Sequence, residues 1–308
     1  MKLFLILKVT FLLLSLAGLY KVYKRWKLRQ SLSSLSGKVV LITGASSGLG
    51  EALAFLLHSV GAKLILAGRN VHKLKQIQFT LDTDTHTQVK GLIKKYSPAI
   101  LEIDLTESHA LSGHGQNAIK IFGRIDILVN NAGVSSRGSV IDTDIRVDRT
   151  IMETNYFGSI QLTKMLLPYM LEEGGGHIVV ISSLQGKLGL PYRSSYSASK
   201  HALHGYYDSL RAELSPRGIS VTILCFGYIN TRLSVNALTA DGTSHGVLDA
   251  TTSNGLSAER AAQCVLEAIA LKERERIVAS PIHHVAVYLK LLSPSLLDWA
   301  LRKRSKSN

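Results

Sequence analysis

Short apolar runs alternate with amphipathic stretches over most of this 308-residue chain. The runs are rich in β-branched residues and predict strands at 39–43, 63–67, 99–103, 125–129, 177–181 and 220–225. Such alternation is typical of a parallel sheet that is covered by helices on both faces. The sequence therefore predicts an α/β fold with a single doubly wound parallel sheet.

A glycine-rich loop follows the first predicted strand, where ligands of open α/β sheets bind. Gly44, Gly48 and Gly50 remove side chains at a point where backbone and nucleotide approach closely, and helix amides at 51–60 face the pyrophosphate. We expect six residues of this loop to line a nucleotide: Gly44, Ser46, Ser47, Gly48, Leu49 and Gly50. The alternative is a plain strand–helix turn.

Tyr196 and Lys200 are four residues apart and share one face of a predicted helix. A cation beside a phenol favours the phenolate and lowers its pKa, so the tyrosine can exchange a proton with a substrate oxygen. Alone, this spacing is more often a half-buried Tyr beside a solvated Lys. Together with the glycine-rich loop and Ser183, thirteen residues before Tyr196, it predicts a hydride-transfer site.

These motifs resemble those of the short-chain dehydrogenase/reductase family, core single-domain type, from about residue 37 to residue 279. The supporting residues are the glycine-rich loop, Asn130-Asn131-Ala132-Gly133, Asn155 of Asn-Tyr-Phe-Gly, Ser183, Tyr196, Lys200, and Gly227 with Thr231. The resemblance implies a Rossmann-type catalytic domain at 37–280. Within the family, the chain is most similar to the membrane-anchored dehydrogenase/reductase member seven-B branch.

The resemblance implies a role for each motif residue in catalysis. Tyr196 donates its proton to the substrate oxygen as hydride arrives, and Ser183 hydrogen-bonds that oxygen. Lys200 holds ribose hydroxyls and lowers the phenol pKa. Asn155 holds a helix backbone and a water in the proton path.

Three further cofactor contacts follow from the same resemblance. Asp104 contacts the adenine amino group or, alternatively, caps the next helix. Asn131 contacts the ribose on the nicotinamide side or braces the sheet, and Thr231 binds the carboxamide. The chain departs from the family at Phe226, where proline is usual.

The residues after the second strand bear on the choice of cofactor. NAD sites usually carry an acid there for the ribose 2′-hydroxyl, but this chain has Arg69. A guanidinium pairs well with a 2′-phosphate, so NADP(H) is favoured over NAD(H). The alternative is a solvated loop arginine.

Residues 3–20 are mainly apolar with Lys8 as their only charge, and as a helix they extend about 27 Å, close to a hydrocarbon core of ~30 Å. We interpret 1–20 as an uncleaved signal-anchor, rather than a cleaved signal peptide or an amphipathic helix, and 21–36 as a basic linker. A monotopic or hairpin attachment stays open. The positive-inside rule puts the catalytic domain in the cytosol. The expected location is the endoplasmic reticulum membrane as a single-pass protein, with the peroxisome as the alternative.

Residues 281–308 form an apolar extension with a basic tail, and Pro294 divides it. Two short amphipathic helices there suit a membrane surface, or else pack on the core. The net charge of +14 is concentrated in such flanks: eleven basic residues lie before 30 or after 301, leaving about +3 elsewhere. A nucleic-acid partner is therefore not expected.

The sequence thus predicts a membrane-attached, NADP(H)-dependent oxidoreductase that interconverts a carbonyl and an alcohol on a lipid-like substrate. The resemblance suggests acyl- or alkyl-dihydroxyacetone phosphate, with retinoids and steroids open. The alternative is a membrane-tethered nucleotide-binding scaffold or sensor with little turnover, which Phe226 favours. The family resemblance also leaves a homodimer open.

Overall fold

The computed structural model describes residues 2–83 and 94–305; side chains are described from 22 onward, except 108–112 and 304–305, and at 11, 15, 18 and 19. The strands are β1 (Val39–Thr43), β2 (Lys63–Gly68), β3 (Ala99–Glu102), β4 (Ile127–Asn130), β5 (Ser136–Arg137), β6 (Gly176–Ser183), β7 (Ile219–Phe226), β8 (Ile229–Asn230), β9 (Leu238–Thr239), β10 (Leu256–Ser257) and β11 (Glu275–Val278). The α-helices are α1 (Lys2–Ser33), α2 (Gly48–Ser59), α3 (Val71–Thr83), α4 (Ser108–Phe122), α5 (Ile145–Met152), α6 (Gly158–Glu172), α7 (Ser194–Leu214), α8 (Ala250–Ser253), α9 (Ala258–Leu271), α10 (Pro281–Leu292) and α11 (Pro294–Ser305).

Seven strands form one sheet in the order β11-β7-β6-β4-β1-β2-β3, and all neighbours are parallel. Every residue of β1 and β4 is buried, as a sheet covered on both faces requires. One apolar core packs α2, α3 and α9 against the sheet, and a second packs α4, α6 and α7 on the other face. The predicted doubly wound α/β fold is confirmed.

The strand predictions hold within about two residues, but β11 was not predicted. Its four residues, Glu-Arg-Ile-Val, begin with two charged residues and so lack the apolar run that marks a buried strand; in the structure Glu275 is exposed and the other three are half-buried. It pairs in parallel with β7 and forms an edge of the sheet. The segment 228–257 contains the short elements β8, β9, α8 and β10.

The amino-terminal helix extends past the predicted boundary at residue 20. Helix α1 continues to Ser33, so most of the predicted linker 21–36 is helical; residues 19–33 contain neither Gly nor Pro to end the helix. Its last turns join the body, where Leu32 packs on the core and Lys24 Nζ lies 3.5 Å from Glu273.

Across the described residues, no helix has both the length and the apolar character needed to traverse a bilayer. An anchor was predicted at residues 1–20, and most side chains of that segment lie outside the described residues.

The carboxyl-terminal extension forms two helices that meet at Pro294, as predicted. No residue of α10 is buried, and Ile282, Val285 and Leu292 are largely exposed. The helix contacts the body through Lys290, whose Nζ donates a hydrogen bond to the Lys187 carbonyl at 2.8 Å, and through His283, whose ring lies 6.4 Å from that of Tyr228. Helix α10 thus lies on the surface of the domain with a partly exposed apolar face.

A buried phenol fixes the helix that carries the predicted catalytic residues. Tyr207 of α7 has no exposed surface, and its hydroxyl is 2.8 Å from both Ser159 Oγ and Thr163 Oγ1 of α6. It also accepts a hydrogen bond from Asn130 Nδ2 of β4 at 3.0 Å. This network ties α7 to α6 and to the carboxyl end of a central strand.

We expect Tyr207→Phe to lower the free energy of unfolding by about 1–3 kcal/mol, because it leaves buried polar partners unpaired. Urea denaturation of the full chain in detergent measures this. Tyr206→Phe is the matched control, at a half-buried neighbour, and should change it by less than about 0.5 kcal/mol. Equal effects of the two substitutions would contradict a structural role for this network.

Candidate active site

The glycine-rich loop lies between β1 and the amino terminus of α2. Gly44 and Gly48 have φ values of +64° and +58°, which favour glycine. A Cβ on Gly50 would lie 2.3 Å from the Gly44 carbonyl oxygen, and one on Gly44 would lie 2.9 Å from Ala132 Cα. Ser47 makes no side-chain hydrogen bond that caps α2. The loop thus brings backbone close to backbone at its three glycines and leads into a helix amino terminus, an arrangement that fits a nucleotide phosphate.

Two residues predicted to contact the cofactor lie against this loop. Thr231 covers it from the segment after β8, since a Cβ on Gly48 would lie 3.1 Å from Thr231 Cγ2. Asn131 donates hydrogen bonds from Nδ2 to the carbonyls of Thr43 (2.9 Å) and Gly44 (3.2 Å). Asn131 therefore makes the contacts expected of the bracing alternative, joining the carboxyl ends of β1 and β4.

Arg69 and Asp104 are neighbours at the carboxyl ends of β2 and β3. Arg69 Nη1 lies 3.6 Å from Asp104 Oδ2, and the arginine side chain stays 67% exposed. Asp104 Oδ1 accepts hydrogen bonds from the amide and hydroxyl of Thr106, at 2.9 and 2.8 Å. The Asp104 carboxylate thus stabilises the turn before α4 through Thr106, and most of the Arg69 guanidinium stays exposed to solvent.

Ser183, Tyr196 and Lys200 converge at the carboxyl end of β6. All three are buried, at 7%, 6% and 5% exposure. Ser183 Oγ donates to the Phe226 carbonyl at 3.4 Å across the β6–β7 pair. Lys200 Nζ donates to the Ile181 carbonyl at 2.9 Å and lies 5.7 Å from the centre of the Tyr196 ring. The predicted catalytic residues therefore form one cluster.

Burial raises the pKa of Tyr196, while its hydrogen bond with Ser183 and the charges of Arg137 and Arg193 lower it. The net direction is upward, whereas the spacing to Lys200 predicts a lower pKa. The difference arises because the phenol is desolvated and the Lys200 ammonium is directed at a backbone carbonyl. Burial also lowers the pKa of Lys200 to about 8.

Asn155 lies in a π-helical turn, Glu153–Phe157, between α5 and α6. Its Oδ1 accepts from the Val134 amide at 2.8 Å, and its Nδ2 donates to the Val134 carbonyl and to Ser199 Oγ, both at 2.9 Å. A Cβ on Gly133 would lie 3.1 Å from Asn155 Oδ1 and 3.6 Å from Lys200 Nζ. Asn155 therefore holds the chain after β4 beside the lysine, consistent with its predicted backbone role.

A pocket opens beside Ser183 and Tyr196. Its lining is Ser135, Arg137, Ser183, Leu184, Gln185, Leu188, Leu190, Arg193, Tyr196, Phe226, Gly227, Tyr228, Ile229, Leu233, Ser234, Thr252 and His283. The sequence analysis missed Arg137, Gln185 and Arg193. The only local signals are that Gln185 follows Ser183 by two residues and Arg193 precedes Tyr196 by three.

Within the described part of the chain, one trio of potential metal ligands meets: His204, Cys225 and Glu275. His204 Nε2 lies 3.5 Å from Cys225 Sγ, and its Nδ1 lies 3.9 Å from Glu275. The two partners thus face opposite nitrogens of one ring. Burial also raises the pKa of the Cys225 thiol to about 12, so it stays protonated. This trio has the chemistry of a packed core rather than of a metal centre.

Comparison with known proteins agrees with this geometry. Residues 38–241 match the short chain dehydrogenase family. The chain is 42% identical over 295 residues to dehydrogenase/reductase SDR family member 7B of Bos taurus, covering 96% of this chain and 90% of that protein. It is 44% identical over 302 residues to dehydrogenase/reductase SDR family protein 7-like of Anopheles gambiae, covering 98% and 94%.

A solved structure shares the fold. The short chain dehydrogenase/reductase from Burkholderia phymatum in complex with NAD superimposes with a TM-score of 0.72 and 25% identity, covering 85% of this chain and 95% of that one. The sequence match, the parallel sheet and the clustered Ser183, Tyr196 and Lys200 lead to one conclusion. The chain belongs to the short-chain dehydrogenase/reductase family of oxidoreductases.

Proposed function

We propose that this protein is a membrane-attached, NADP(H)-dependent oxidoreductase that interconverts a carbonyl and an alcohol on a lipid-like substrate. The observation that carries the proposal is the pocket, in which Ser183 and Tyr196 stand beside a largely apolar wall. Lipid ketones and their alcohols offer one polar reacting oxygen and a long apolar body, which this combination suits.

The residues of the pocket supply the proton chemistry. Negative charge that develops on a carbonyl oxygen during reduction is stabilised by the Ser183 hydroxyl and neutralised by the Tyr196 proton. The raised pKa keeps the phenol protonated at neutral pH, as a proton donor requires. When bound, the nicotinamide nucleotide supplies or takes up the hydride.

Lys200 and Asn155 hold this site in place. The Lys200 ammonium, anchored on the Ile181 carbonyl, stands under the phenol ring on the side of Gly133. Burial lowers the pKa of this ammonium to about 8, nearer neutral pH than that of an exposed lysine. Asn155 fixes the backbone after β4 and so sets the spacing on that side.

The preference for NADP(H) rests on the end of β2. The strand ends at Gly68 and is followed by Arg69 and Asn70, without a carboxylate for a ribose 2′-hydroxyl. The Arg69 guanidinium is exposed and held loosely by Asp104, so it is free to turn toward a 2′-phosphate.

The proposed membrane attachment rests on the amino-terminal segment of the chain. Residues 3–20 carry only one charged residue, Lys8, and are followed by a cluster of basic residues, a pattern typical of a membrane-facing segment. On α1, Phe11 and Leu19 are exposed, and so is Trp26 near the basic cluster. We place the protein in the endoplasmic reticulum membrane, or the peroxisomal one, with its catalytic domain facing the cytosol; a homodimer belongs to the same proposal.

Turnover should depend on the phenol. We expect Tyr196→Phe to reduce NADPH oxidation with lipid ketones, including a phosphate-bearing one, steroids or retinal by about 10²–10⁴-fold, since the proton donor is lost. The control Tyr206→Phe should keep its rate. NADPH binding without turnover of any ketone by the parent protein would instead favour the scaffold.

Cofactor selection should depend on Arg69. Arg69→Gln should weaken NADPH binding about tenfold, because a charged contact to the 2′-phosphate is lost, and leave NADH binding nearly unchanged. Fluorescence titration of both nucleotides measures this. The control Arg146→Gln removes an arginine that is 82% exposed on α5 and should alter neither affinity. Equal weakening of both nucleotides would refute the preference.

Membrane binding should depend on α1. We expect the double variant Phe11→Lys with Leu19→Lys to reduce recovery of the full chain with floated lipid vesicles by about tenfold or more, because charge inside the bilayer is costly. Phe79→Lys on α3, where the phenyl is equally exposed, is the control. If both proteins float as well as the parent, the apolar segment is not the attachment site.

A further inference from the structure

Two arginines of the substrate pocket share one carboxylate. Arg137 of β5 and Arg193, just before α7, both line the pocket with Tyr196, and their side chains are only 14% and 8% exposed. Asp249 Oδ2 accepts hydrogen bonds from Arg137 Nε at 3.1 Å and Nη2 at 2.5 Å, and from Arg193 Nη2 at 3.3 Å. These three residues are called the Arg–Asp–Arg cluster below.

The cluster has more positive than negative charge. Two guanidinium groups remain charged at any physiological pH, and a single carboxylate lies between them. The charges of both arginines hold the Asp249 pKa below its usual value against the opposing effect of burial, so the carboxylate is ionised. His245 Nε2 lies 3.3 Å from Asp249 Oδ1, on the oxygen that the arginines do not contact.

The phenol of Tyr196 shares the pocket with both arginines, and their charges lower its pKa against the larger, opposing effect of burial. Arg193 precedes it by three residues at the amino end of α7, and Ser197 N donates to the Arg193 carbonyl at 2.9 Å. Because all three side chains are shielded from water, their electrostatic interaction is screened little.

Other titratable groups surround the same pocket. Lys200 is on the same helix, His283 of α10 and Tyr228 are in the lining, and Asp148 of α5 accepts a hydrogen bond from Ser195 Oγ. Lys200 directs its ammonium at the Ile181 carbonyl. The Arg–Asp–Arg cluster is thus a second source of positive charge, on the pocket side of the phenol.

We propose that the Arg–Asp–Arg cluster sets the strength of Tyr196 as a proton donor, with the two arginines favouring the phenolate and Asp249 opposing them; this rests on the proposed function. Arg137, Arg193 and Asp249 are positioning residues, acting through the electrostatic potential at the phenol. Removing an arginine should make the Tyr196 phenol a weaker acid, and removing the Asp249 carboxylate should make it a stronger one.

The test is a pH titration of the Tyr196 phenolate by ultraviolet absorption, with the spectrum of Tyr196→Phe subtracted. Asp249→Asn should lower the Tyr196 pKa by about one unit, and Arg137→Gln should raise it by a similar amount. Arg137→Lys keeps the charge and should return the titration to that of the parent chain. The measurement needs no turnover, so it stands whether or not the proposed reaction is found.

The pH profile of kcat/KM for an uncharged ketone gives the second readout. Reduction needs the protonated phenol, so the alkaline limb should move to lower pH in Asp249→Asn and to higher pH in Arg137→Gln. Arg146→Gln and Asp144→Asn alter an ion pair on α5, away from the pocket lining, and should leave the profile unchanged. Shifts of the same sign in both cluster variants, or no shift in either, would overturn the proposal.

Discussion

The pairing of β6 with β7 is the constraint on which the site depends. Eight residue pairs align Gly176–Ser183 with Ile219–Phe226, and the last of them sets Ser183 opposite Phe226. The carboxyl ends of parallel strands meet at one edge, so a serine, a backbone carbonyl and the floor of the pocket are brought together there. This edge also positions helix α7. A buried ammonium needs a hydrogen-bond acceptor, and that of Lys200 donates to the Ile181 carbonyl of β6.

Much of this arrangement was predictable because it is local in sequence. Apolar runs gave the buried strands, the spacing of Gly44, Gly48 and Gly50 gave the nucleotide loop, and the interval from Tyr196 to Lys200 gave one helical face. Each signal acts within a few residues, through backbone conformation or helical period. Strand β11 was not predicted, because an edge strand with an exposed Glu275 has little of the apolar pattern that marks a central strand.

The Arg–Asp–Arg cluster was not predicted from the sequence, for a different reason. Arg137 and Asp249 are 112 residues apart, and Arg193 and Asp249 are 56 apart, so only the fold brings them together. For the same reason the acidity of Tyr196 could not be read from its helix alone. The spacing to Lys200 predicts a more acidic phenol, but burial by neighbours from several elements has the larger effect and reverses the direction.

The buried ammonium of Lys200 has a consequence for the stability of the whole domain. Its pKa falls from 10.5 to about 8 on folding, so the native state disfavours the charged form by about 3 kcal/mol. The penalty is complete below pH 8 and disappears as the pH rises toward 10.5, where the unfolded chain also loses the proton. Near neutral pH the folded protein therefore bears the full cost of burying the charged Lys200 side chain. An apolar side chain at position 200 would avoid this cost, but it would leave the Ile181 carbonyl without its donor and Tyr196 without an ionisable neighbour on its helix.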